Sequence, residues 1–295
     1  MKPISSLGTV AILGVGLIGG SLARALKRAQ AAREIVGYGR TAATLDRARE
    51  LRVIDRAAGS AAAAAAAADI VVVAVDLAAT EALLGEIRPQ LSEHAVVTDV
   101  GSVKAPVVDA ARRALGANFA RFVPGHPLAG SERSGVEASF AGLFDRRRVV
   151  LTPVSETQAQ AVDTVREMWR RAGAGDVALM TPEAHDRALA ATSHLPHVLA
   201  YALVECVAGG PDGQELLHNA AGGFADLTRI ASSDAGIWSE ICLANRAAIL
   251  DCLRGFDAIT RDIAEALRRG DAERLRAVFG RAKRARDGML DPRGT

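Results

Sequence analysis

Short apolar runs alternate with helical spacing through the first 180 or so residues, and then the runs stop. Residues 9–13, 34–38, 69–75, 95–100, 119–123, 148–153 and 177–180 each read as a strand. The run at 69–75 is apolar on both faces, as a parallel strand covered from both sides should be. Between the strands, Leu22, Ala25, Leu26 and Ala29 mark one face of a helix, and 80–91, 106–115 and 158–172 carry further helical patterns. This alternation predicts an open α/β sheet wound on both faces. The alanine run at 61–68 extends a helix or a surface turn before the next strand.

After Pro182 only helical spacing remains, which places a boundary near Thr181, with one domain over 1–181 and a second over 182–295. A helix over 190–205 would be capped by Ser193. Ile237, Trp238, Ile241, Ala248, Ile249, Cys252, Phe256, Ile259, Ile263 and Leu267 trace one long apolar seam, with Gly255 a candidate kink. The last helix, 271–287, would bury Leu275, Val278, Phe279 and Ala282 and turn its arginines to solvent. Such seams exceed what a small helical domain covers alone, so a homodimer through these helices is expected.

The first strand runs into Gly14-Val15-Gly16-Leu17-Ile18-Gly19, and a helix follows. In G-x-G-x-x-G the first glycine makes the turn and the second lets a pyrophosphate approach the backbone. The third brings helix and strand close, and the phosphates meet free N–H groups at the helix start. The fold class is therefore α/β, a Rossmann-type sheet followed by an all-α domain. Gly14, Gly16, Leu17, Ile18 and Gly19 are the cofactor-binding candidates. The second strand ends in Tyr38-Gly39-Arg40, where NAD enzymes carry an acid for the ribose hydroxyls. Arg40 could pair with a 2′-phosphate, favouring NADP, or could stack on adenine while NAD is still accepted.

Composition narrows the partners. The net charge of +2, from 36 basic and 34 acidic residues, gives no electrostatic case for nucleic acid or membrane. No apolar stretch is long enough to span a bilayer, and the amino terminus does not read as a signal peptide. Cys206, Cys242 and Cys252 form no C-x-x-C pair and sit in apolar surroundings, so buried free thiols in a cytoplasmic protein are expected.

Residues 124–132 read Pro-Gly-His-Pro-Leu-Ala-Gly-Ser-Glu and follow a strand end. The prolines and glycines exclude a helix or a central strand, which puts His126 on a turn outside the sheet's carboxyl edge. There it is either a proton-transfer group or a histidine bonded to its own turn. Ser102, in Asp99-Val100-Gly101-Ser102-Val103-Lys104, could bond substrate or cofactor, cap the next helix, or both. His194 and His197 share a helix face, but no further ligand stands at metal-binding spacing, so no metal is expected. Arg229 lies among small and apolar residues and needs an anion: Asp226, Glu240 or a substrate carboxylate.

The order of these motifs, with Ser193-His-Leu-Pro-His197 and Gly222-Gly-Phe-Ala-Asp-Leu-Thr-Arg-Ile-Ala231, resembles the prephenate/arogenate dehydrogenases of tyrosine biosynthesis over most of the chain. The resemblance implies oxidative decarboxylation of prephenate, arogenate or both, with hydride transfer to NAD(P)+. It implies His126 as the catalytic histidine and Ser102 as a partner of the same ring hydroxyl. His197 and Arg229 would contact substrate, and Glu132 and Asp226 would lie near the mouth of the site. The Gly39-Arg40 pair departs from the family's NAD-specific pattern. No room remains before Met1 or after Arg286 for a mutase segment or a regulatory domain, so a monofunctional form is expected. A β-hydroxyacid dehydrogenase would use a lysine on the second domain's first helix, and no lysine stands between Lys104 and Lys283. A non-catalytic nucleotide sensor would not need His126, Ser102, His197 and Arg229 together.

Overall fold

A computed structural model describes residues 6–290. Its first elements are β1 (Thr9–Leu13), α1 (Leu17–Arg28), β2 (Glu34–Tyr38), α2 (Ala42–Glu50), β3 (Arg56–Ala57), α3 (Ala61–Ala65), β4 (Ile70–Val73), α4 (Leu77–Ile87), β5 (Val96–Asp99), α5 (Ala105–Leu115) and β6 (Phe122–Val123). The strands form one sheet in the order β3-β2-β1-β4-β5-β6, parallel throughout. Alternation along β1 builds two cores. Val10 and Ile12 join Leu22, Leu26 and Trp169 on one side, while Ala11 and Leu13 join Leu84, Val107 and Leu115 on the other. Strand order reverses between β1 and β4, so the crevice for a ligand opens at their carboxyl ends. The first part of the alanine run is a short helix buried on one face: Ser60 caps α3, Ala61, Ala64 and Ala65 are inaccessible, and Ala63, Ala66 and Ala67 are exposed.

The next four elements are β7 (Gly125–Pro127), β8 (Arg148–Leu151), α6 (Ala159–Arg171) and β9 (Asp176–Leu179). Their strands make a second sheet, β7-β8-β9, in which β7 is antiparallel and β9 parallel to β8. His126 therefore sits in a short strand opposite Val150, not on a turn. The strand is at an edge, where a proline's missing N–H costs no ladder bond.

Helices follow: α7 (Pro182–Leu189), a π-helical turn (Ala190–His194), α8 (Leu195–Ala208), α9 (Gly213–His218), α10 (Gly222–Thr228) and α11 (Ala235–Ala244). Ser193 lies within the π turn, so it caps nothing, and α8 begins without a side-chain cap. A first compact unit runs through Asn245, and a second begins at Arg246. The apolar seam expected over 237–267 thus breaks at Asn245, whereas Gly255 lies inside the unbroken α12 (Arg246–Arg269). The cause of the break is tertiary. Asn245 donates to the Asp186 carbonyl at 2.8 Å and lies 3.1 Å from His194 Nδ1, and these bonds draw its side chain into the interior.

The second unit is a helical hairpin of α12 and α13 (Ala272–Leu290), turning at Gly270 with φ of 65°. Val278 is buried and Leu275 half-buried, but Phe279 and Ala282 are exposed, contrary to the sequence pattern. Apolar side chains are incompletely covered elsewhere too: α8 buries only Ala200 and leaves its leucines and valines half-buried, and Leu216, Leu227 and Leu243 are exposed. The cysteines are free, but Cys206 is exposed and Cys242 and Cys252 are half-buried, so none is a core thiol. No described helix is long and apolar enough to cross a membrane.

Candidate active site

The glycine loop is shaped for a dinucleotide. Gly14 has φ of 106°, and a Cβ there would lie 2.1 Å from the Ala74 carbonyl oxygen. A Cβ at Gly19 would meet the Gly14 carbonyl at the same distance, while Gly16 faces open space. Leu17 and Ile18 form the first turn of α1, whose N-cap, Gly16, offers no side-chain bond. The N–H groups there are free for a pyrophosphate, so the residues present fit the cofactor. Beyond β2, Arg40 is almost fully exposed, 3.9 Å from Asp76. Thr41 caps α2 by accepting from Thr44 N–H at 3.3 Å.

The carboxyl end of β5 is bolted to β7. Lys104, wholly inaccessible, forms an ion pair with Asp99 and donates to the Gly125 carbonyl at 2.8 Å. Asp99 in turn accepts from Gly101 N–H at 2.8 Å and Gly125 N–H at 3.1 Å. Burial pushes the Lys104 pKa down, against the pull of Asp99. Both backbone groups of Gly125 are thus held from outside the ladder, and His126 is the next residue.

His126 Nδ1 lies 2.9 Å from His185 Nε2, the two rings edge to face. His185 Nδ1 is 2.8 Å from Asp186 Oδ1. Asp186 also accepts from the backbone N–H of Lys104 at 2.8 Å and of Ala105 at 2.9 Å. It, and not Ser102, therefore satisfies the start of α5. Ser102 is partly exposed two residues before that helix's N-cap, Lys104. Desolvation, then the Lys104 ammonium, then His185 and His194 hold the His126 pKa well below its ordinary 6.5. A ring in that setting is neutral at physiological pH.

His197 stacks on Trp238 with centroids 3.4 Å apart, and its Nδ1 donates to the Ser193 carbonyl at 2.9 Å. Its other nitrogen is then the acceptor. Burial lowers its pKa; the Ser193 bond opposes this, and the Arg229 charge adds to it. His194 is a core histidine, 1% exposed beside Asn245, with a pKa lowered by burial to about 4. Arg229 is exposed rather than partly buried. Its partner is Glu132, not Asp226 or Glu240, and its charge reaches His197. Asp226 is exposed on α10.

The geometry brings His126 together with Lys104, His185 and Asp186, and joins His197 to Trp238 and Arg229 to Glu132. Nothing in the sequence alone assigns Lys104, Asp99, His185, Asp186 or Asn245 to the site, and Trp238 reads there only as part of the apolar seam. An adjacent His185-Asp186 pair just past Thr181-Pro182, where strands give way to helices, was the available signal.

Known proteins carry the same plan. The model of the nucleotide-binding domain of prephenate dehydrogenase matches residues 22–177, and that of its dimerization domain matches 181–281. The chain belongs to the prephenate dehydrogenase family. It is 36% identical over 279 residues to a cyclohexadienyl dehydrogenase of Zymomonas mobilis, covering 94% of each chain. It is 38% identical over 286 residues to a prephenate dehydrogenase of Bacillus subtilis, covering 95% of this chain and 76% of that one. The crystal structure of prephenate dehydrogenase from A. aeolicus with hydroxyphenyl propionate and NAD+ superposes with a TM-score of 0.89 at 34% identity, over 96% of this chain and 99% of that one. The family's members are nicotinamide-dependent oxidoreductases, with a Rossmann-type domain and a helical domain in this order.

Proposed function

We propose that the chain oxidatively decarboxylates prephenate, arogenate or both, with NAD(P)+ as acceptor, in tyrosine biosynthesis. One observation carries the reading: a neutral imidazole, His126, on a rigid edge strand, with one ring nitrogen bound by His185. The substrate's 4-hydroxyl gives its proton to the other nitrogen, Nε2. NAD(P)+, held by the Gly14–Gly19 loop and the start of α1, would supply the hydride acceptor for ring carbon 4. Carbon dioxide leaves carbon 1 with its bonding pair left in the ring, which becomes aromatic. Ser102, at the end of β5, is assigned to the same hydroxyl and to the nicotinamide edge. His197, aligned by Trp238, offers Nε2 as an acceptor to substrate. Glu132 and Asp226 are assigned to the mouth of the site.

Arg229 is assigned to a substrate carboxylate, which replaces Glu132 as its partner. A hydrogen bond to a charged group is worth about 1.5–3 kcal/mol, so R229A should raise substrate KM roughly ten- to a hundredfold. kcat should stay within about threefold, because the contact is made equally in the ground and transition states. Steady-state kinetics checks this; an unchanged KM would return Arg229 to a surface ion pair.

NADP+ use is proposed from Arg40 and the absence of an acid at the end of β2. By the same magnitude, R40A should lower kcat/KM for NADP+ by about tenfold or more and change that for NAD+ little. Assaying prephenate and arogenate with each cofactor, and following reduced-nicotinamide absorbance, tests the function as a whole. No reduction with any pair would refute it. A homodimer through the helical region accords with the half-buried apolar residues of α8 and the exposed Ile237 and Leu243 of α11, and sedimentation would measure it. Free cysteines accord with a cytoplasmic setting.

A further inference from the structure

We infer that His185 is a positioning residue that fixes which nitrogen of His126 is the base, with Asp186 setting the direction of the chain. The three groups form a line, Asp186–His185–His126, whose middle member is the most buried. His185 is wholly inaccessible, Asp186 is 6% exposed, and His126 lies at the partly exposed end. Contacts of 2.8 and 2.9 Å link them.

The direction follows from what each atom can do. An ionised carboxylate only accepts. Burial works against the charge on Asp186, but bonds from His185, Lys104 N–H and Ala105 N–H outweigh it and keep the pKa below the usual range. His185 Nδ1 must therefore carry a proton. In a neutral ring its Nε2 then holds a lone pair. Two lone pairs cannot face each other at 2.9 Å, so His126 Nδ1 carries a proton and donates it to His185. The remaining nitrogen of His126, Nε2, is left bare as the acceptor for the substrate hydroxyl.

A second proton on His185 would reverse this order and block the base. Lys104, from the β5–α5 junction, is the positive neighbour of His126, and His194, from the π turn, has its pKa lowered by burial to about 4. Asp186 and Asp99 are the acids, and Asp99 is already committed to Lys104. In the neutral line each of the two short contacts has one donor and one acceptor, and His126 Nε2 is left for the substrate. Once His126 has taken the substrate proton, its Nδ1–H still points at His185, and the Asp186 charge lies behind.

The inference rests on His126 being the base, but its primary test needs no turnover. In the full-length protein with ¹⁵N-labelled histidine, ring nitrogen shifts at neutral pH should show His126 protonated at Nδ1 and bare at Nε2. H185F removes the acceptor. It should release that preference and lower kcat by about tenfold or more, an effect set by general-base efficiency, with KM and cofactor affinity unchanged. H185Q keeps a side-chain carbonyl for Nδ1–H and should recover kcat to within about threefold of wild type. Wild-type His126 protonated at Nε2 would overturn the inference. So would H185F with full kcat, or H185Q as slow as H185F. If instead the tautomer is as expected and H126N is fully active, the base assignment fails and the tautomer lock stands.

Discussion

H126N should lower kcat by about a hundred- to ten-thousandfold while leaving substrate KM and cofactor binding within a few-fold of wild type. Asparagine places an amide near the position of Nδ1, so it can still donate to His185 and keep the edge strand opposite Val150 in place. What it lacks is the second nitrogen, the one that takes the proton as hydride leaves. That proton transfer exists only in the transition state, so its loss falls on kcat. The pH profile gives the same prediction in another form. Burial, Lys104, His185 and His194 all depress the His126 pKa, so the neutral, active form persists well below pH 6.5. kcat should be level through neutral pH and fall only in the acid range. A wild-type midpoint at the ordinary histidine value, or near-normal turnover in H126N, would remove His126 from the chemistry.

The parts of this site that could be read from the sequence are the local ones. The turn from β1 into α1 is written in six consecutive residues, because glycine spacing, phosphate approach and helix packing act within one loop. The parallel strands announce themselves by being apolar on both faces. His126 was found by its neighbours, but its strand was not. Three residues, preceded by Pro124 and ending in Pro127, pair only because β8 passes beside them. His185 and Asp186 gain meaning only when α7 meets the start of α5, 81 and 82 residues away in the chain. Arg229 was recognised as needing an anion, yet its partner lies 97 residues earlier. The break at Asn245 was invisible for a similar reason: the helical pattern continues through it, and the bonds that end α11 come from Asp186 and His194.

The largest stability effect should come from a residue that touches no substrate. K104M should destabilise the fold by about 3–5 kcal/mol, the usual result of removing one partner of a buried ion pair. Methionine can fill much of the lysine's volume, so lost packing contributes little. The loss is electrostatic. Asp99, 2% exposed, would lose its counter-ion and retain only the N–H groups of Gly101 and Gly125 as partners, and the Gly125 carbonyl would lose its donor. In a chain of this size such a change should lower the melting temperature by on the order of 10 °C. A second substitution separates the causes. D99N in the K104M background removes the stranded charge and should recover most of the melting temperature, because a buried pair replaced by neutral groups of similar volume is often nearly neutral in stability. It should not recover kcat, since Gly125 is still released on its carbonyl side and His126 is attached to it. A K104M protein that melts with the wild type would show that the pair contributes nothing to the fold. A double variant with full turnover would show that the clamp on Gly125 does not position His126.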